Sequence, residues 1–112
     1  MTGLTVREQT AKTITFVIYI AGDYQQALNL LQKYVLNGEC LNCRPVDYVF
    51  THGREAGIEV TVINYPRFPR DYDTLFQVAK EVATCLLEGL SQGSYTIVGP
   101  KESYFYDRRK KA

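Results

Sequence analysis

The chain of 112 residues is 46% hydrophobic and 22% charged, the make-up of one globular domain and not of a tail or a fibre. Thirteen basic residues against 12 acidic ones leave a formal charge of +1, so no global field draws the protein to nucleic acid or a membrane, and any basic patch has to be local. The apolar runs are far shorter than the roughly 20 residues that cross a bilayer, and the opening MTGLTVREQTAK lacks the apolar core of a signal peptide; a soluble, cytoplasmic protein with no membrane partner is expected.

Residues 1–12 are polar and aperiodic and read as an arm before a domain spanning 13–107. In TITFVIYI, Ile14, Phe16, Ile18 and Ile20 share one face and Thr13, Thr15, Val17 and Tyr19 the other, which predicts a central strand. Asp23, with Gln26 three residues on, has the spacing of a helix N-cap, and Ala27, Leu28, Leu31 and Val35 follow at helical intervals until Gly38 stops them.

Val46, Tyr48 and Phe50 form the apolar face of a second strand. The segment from His52 to Gly57 reads as the turn, and Ile58, Val60 and Val62 as the apolar face of a third strand. Pro66 and Pro69 then impose an extended loop. Asp71 or Asp73 can cap a second helix with the stripe Leu75, Ala79, Val82, Ala83, Leu86, Leu87 and Leu90, ending at Gly93. Ser94–Val98 and Ser103–Asp107 read as two further strands, and residues 108–112 as a solvated basic tail.

The order strand, helix, strand, strand, helix, strand predicts an α+β, ferredoxin-like split βαβ sandwich with an additional C-terminal hairpin strand. The apolar strand faces belong under the helices. That leaves Thr15, Val17, Tyr19, Thr61, Ile63, Tyr65 and Val98 on an open face too apolar to be fully wet, so a cover is expected and a homo-oligomer with it.

Ile18–Asp23 resembles the first RNA-contact motif of RNA-recognition domains, whose element order is the same. The third strand, GIEVTVI, offers no aromatic ring for stacking and carries Glu59, which would repel phosphate. Cys40 and Cys43 have the spacing of half a zinc site, but Cys85 falls in a helical stripe and His52 is the only histidine, so reduced thiols and no cofactor are expected. His52 has no serine, cysteine or paired carboxylate at a telling distance. The chain therefore reads as non-enzymatic.

NYPRFPRDY is the most distinctive stretch. Its prolines hold it extended, so Tyr65, Phe68 and Tyr72 can present rings while Arg67 and Arg70 supply forked donors. Together with Tyr19 on the open face, these residues are the predicted binding set, either for a protein partner or for a single-stranded nucleic acid or small nucleotide. The INYPRFP loop, the QGSYTIV strand and the SYFYDRR ending resemble small accessory proteins encoded by tailed bacteriophages. That resemblance covers the C-terminal half and implies a protein working by binding, on a host or self partner, in bacterial cytoplasm.

Overall fold

The computed structural model describes residues 3–108. β1 (Thr15–Ala21), α1 (Tyr24–Tyr34), β2 (Asn42–Phe50), β3 (Gly53–Ile63), α2 (Tyr72–Gly89), β4 (Ser94–Val98) and β5 (Ser103–Asp107) follow in that order. The strands form one antiparallel sheet in the order β2-β3-β1-β4-β5, the ferredoxin-like arrangement with β5 added beside β4.

Alternation in β1 puts Phe16, Ile18 and Ile20 beneath the helices, where Ile58, Val60 and Val62 of β3 and Ile97 of β4 join them. The predicted α2 stripe is buried against them from Leu75 to Leu90. Ala27 and Leu31 of α1 complete this core, while Leu28 and Val35 stay half-exposed at the flank of the helix layer. Local chemistry starts both helices: the Asp23 carboxylate accepts from the Gln26 amide at 2.9 Å, and that of Asp71 from the Thr74 amide at 2.8 Å, relieving amides that the first turn leaves unpaired. A 3-10 turn, Val35–Asn37, follows α1 and closes at Gly38 with φ of 104°, a left-handed value that favours glycine.

Three expectations change. The hairpin turn is only Thr51–His52, and β3 starts at Gly53; the exposed segment from Gly53 to Ala56 carries no burial signal because it pairs with β2 beyond the reach of the helices. α2 stops at Gly89 and not Gly93, and the chain leaves through Ser91 at φ 54°. β2 begins at Asn42 with its register reversed from expectation: Cys43 lies opposite Val60 on the helix side, so Val46 and Tyr48 point to the open face. An edge strand under little helix cover is free to do so, and Pro45 is tolerated there because its missing N–H faces away from the ladder.

Residues 3–10 are exposed, including Leu4 and Val6. Of the expected basic tail, Arg108 is tied back, its amide donating to the Gly93 carbonyl at 3.0 Å; residues 109–112 lie outside the described residues.

Candidate functional site

The antiparallel registers align one residue from every strand in a single row across the open face: Arg44 on β2, Glu59 on β3, Tyr19 on β1, Thr96 on β4 and Phe105 on β5. Residues opposite one another share a face, so these five side chains emerge on the same side. The next row is Asn42, Thr61, Val17, Val98 and Ser103. The face is thus ionic at its β2–β3 end and apolar or aromatic toward β5, where Val98 is 37% and Phe105 60% exposed.

Tyr48 folds onto this face. Its ring covers Gly57, and its hydroxyl donates to the Ile58 carbonyl at 2.6 Å. Burial, with further repulsion from Glu59, Tyr19 and Glu55, pushes its phenol from 10 up to about 12. A phenol so held keeps its proton at physiological pH and acts as a donor and not as a base. Beside it, the Arg44 guanidinium meets Glu59 through one contact, Nη2 to Oε1 at 3.4 Å, with the arginine side chain 62% exposed and the glutamate 20%. The arrangement can hold a ligand that is cationic or zwitterionic at one end and aromatic at the other, on a face with a protonated tyrosine and apolar flanks.

Of the predicted binding residues, only Tyr19 belongs to this row. Tyr65 accepts from the Cys40 thiol at 3.4 Å and stands 5.8 Å from the Phe68 ring. Phe68 and Arg67 are exposed on the loop. The Arg70 guanidinium donates twice to the Glu39 carboxylate, at 2.8 and 3.0 Å, which raises its pKa and commits its fork within the protein. Tyr72 belongs to the first turn of α2, packing edge-on against Phe16 at 5.1 Å with the Lys101 ammonium 4.3 Å from its ring centre. The six residues therefore do not meet at one place. Of the cysteine pair, Cys40 is exposed before β2, while Cys43 lies within β2, where burial pushes its thiol up.

A groove of about 700 Å³ runs along the other side of the β2 edge, lined by Leu28 and Leu31 of α1, by Val35 of the 3-10 turn and by Cys40 and Cys43. Arg44 lies at its rim, between the groove and the open face. Residue-by-residue reading missed Arg44, Tyr48 and Glu59. A signal was present for one of them: Glu59 is the sole charge in GIEVTVI, and a carboxylate in such a strand calls for a partner.

No family model matches the chain, and no curated protein matches it in sequence. Two solved structures share its fold. A phage SAM lyase in its apo state superposes with a TM-score of 0.70 at 9% identity, covering 96% of this chain and 100% of that one. A phage SAM lyase in complex with S-methyl-5'-thioadenosine gives a TM-score of 0.66 at 8% identity, over 94% of this chain and 97% of the other. Both are phage proteins, in keeping with the resemblance in the C-terminal half. They also overturn the reading of a non-enzymatic chain that works by binding to a protein or a nucleic acid: the solved chains that share this fold from end to end are enzymes.

Proposed function

We propose that the protein is a phage-encoded enzyme of the bacterial cytoplasm that binds S-adenosylmethionine on the open sheet face and cleaves it to S-methyl-5'-thioadenosine. The end-to-end likeness to a lyase held with S-methyl-5'-thioadenosine carries this reading, and the row from Arg44 to Phe105 supports it from this chain's own residues.

S-methyl-5'-thioadenosine arises from S-adenosylmethionine when the bond between the sulfonium sulfur and the γ-carbon of the amino-acid chain breaks. The bonding pair stays on sulfur, which becomes a neutral thioether. Without water, the γ-carbon takes its new bond from an oxygen of the substrate's own carboxylate, closing a lactone; no proton leaves in that step and no co-reactant enters. Tyr48 fits such chemistry, since a phenol held up to about 12 and bonded to the Ile58 carbonyl is no base. An attacking carboxylate and a departing sulfonium neutralise one another in the transition state, so a dry, apolar surface favours the step. Val17, Val98 and Phe105 supply that surface, while Tyr19 provides a ring for the sulfonium and Glu59 a carboxylate for the positive end of the amino-acid chain.

With Phe105 60% exposed, the face dries fully only beneath a cover. A second copy of the chain is the cover we favour, so the homo-oligomer expected from the sequence belongs to this proposal. Light scattering with and without ligand tests it, and a strict monomer in both conditions removes it.

The activity is tested by incubating the protein with S-adenosylmethionine and following S-methyl-5'-thioadenosine by chromatography. Product should form without any added cofactor, and Glu59→Gln should lower its rate by roughly tenfold or more, on the scale of one lost charge-assisted contact. Failure of the wild type both to form product and to bind either compound would reject the function.

A further inference from the structure

Among the described residues the structure contains two close ion pairs between side chains, and they differ in kind. Arg70 and Glu39 are joined by two bonds, with side chains only 28% and 14% exposed; such a fork is a fixed brace. Arg44 and Glu59 touch once, at 3.4 Å, and the guanidinium is mostly in water. A pair of that type contributes ~0–1 kcal/mol, so either partner can be exchanged for a better one at little cost. Glu59 is nonetheless largely desolvated, and a cation that reached it from the open face would be held more strongly than on an ordinary surface.

Position adds direction. Both residues stand at the β2–β3 end of the row that continues through Tyr19 and Thr96 to Phe105. A ligand lying along that row meets charges of both signs at one end and rings at the other.

We propose that Arg44 and Glu59 form a subsite for the amino-acid zwitterion of the ligand, one carboxylate oxygen taking the guanidinium while the other stays free to reach the γ-carbon, and the ammonium taking Glu59. One weak internal pair is replaced by two intermolecular ones, which sets the direction in which the ligand lies. Arg44 thereby distinguishes S-adenosylmethionine from compounds that share its adenosine and lack its carboxylate. This assignment rests on the open-face reading given above and adds to it a residue that decides specificity.

Binding of three probes to wild type, Arg44→Gln and Arg44→Lys tests it: S-adenosylmethionine, followed by stopped flow before product accumulates, and its decarboxylated form and S-methyl-5'-thioadenosine by calorimetric titration. In Arg44→Gln, affinity for S-adenosylmethionine should fall roughly three- to fivefold, the scale of an ion pair open to water, while that for the other two stays within about 1.5-fold. Arg44→Lys should recover part of the loss, since it restores the charge without the fork. Arg44 is an exposed edge-strand residue, so its replacement leaves folding intact, which thermal unfolding of each variant verifies. Equal weakening of all three probes, or unchanged binding of S-adenosylmethionine, overturns the subsite while wild-type binding keeps the function standing. A wild type that binds none of the probes overturns both.

Discussion

The ring of Tyr48 lies against Gly57, and only glycine lets it: a Cβ at position 57 would run into that ring and come within 2.7 Å of the Ile20 carbonyl oxygen. Gly57→Ala must therefore push the ring off the sheet or part β1 from β3, at a cost of roughly 1–3 kcal/mol. We expect a lower urea midpoint, together with weaker binding of S-methyl-5'-thioadenosine if Tyr48 shapes the open face.

The Tyr48 phenol sets a pH dependence whose sign follows from its shift. Below pH 10 the group is protonated in the folded and unfolded chains alike, and its contribution to stability is whole. Between about 10 and about 12 the folded chain keeps a proton that the unfolded chain releases, so stability declines as pH rises through that window. Tyr48→Phe should flatten part of the decline, measured as the denaturation midpoint across the alkaline range. A remainder should persist, because Tyr65 and Tyr106 are also shifted upward.

Phe68 and Leu86 should respond to truncation in opposite ways. Leu86 is fully buried, and alanine there leaves a cavity costing ~2–5 kcal/mol. Phe68 is 51% exposed on the proline loop, and its alanine variant should stay within about 0.5 kcal/mol of wild type. Equal loss of unfolding midpoint in the two variants would make the loop a lid on the core.

Arg67 and Arg70 differ in the same manner. Arg70→Ala strips two bonds from a largely buried Glu39 carboxylate and should cost roughly 1–3 kcal/mol. Arg67→Ala, on the exposed part of the loop, should change stability by no more than about 0.5 kcal/mol. Chemical denaturation of both variants under one set of conditions makes the comparison.

What could be read along the chain was whatever depends on near neighbours. Alternation marked Phe16, Ile18 and Ile20 as core, helical spacing marked the α2 stripe, and Asp23 announced the first helix start, all of which keep those places in the fold, while the second start, open between Asp71 and Asp73, falls to Asp71. Element order then implied the sheet, because right-handed crossovers leave few ways to join such pieces. The row of Arg44, Glu59, Tyr19, Thr96 and Phe105 had no such signature. Period-2 patterning says that Glu59 and Tyr19 each face away from the core, and is silent on which residues stand opposite them. That depends on register, and a shift of one residue turns every side chain of a strand to the other side. In β2 the tight turn at Thr51–His52 sets the register and sends Tyr48 to the open face, against the expectation from its own apolar pattern. An edge strand with little helix above it has no burial energy to enforce that pattern, so pairing with β3 decided its orientation, and with it the candidate site.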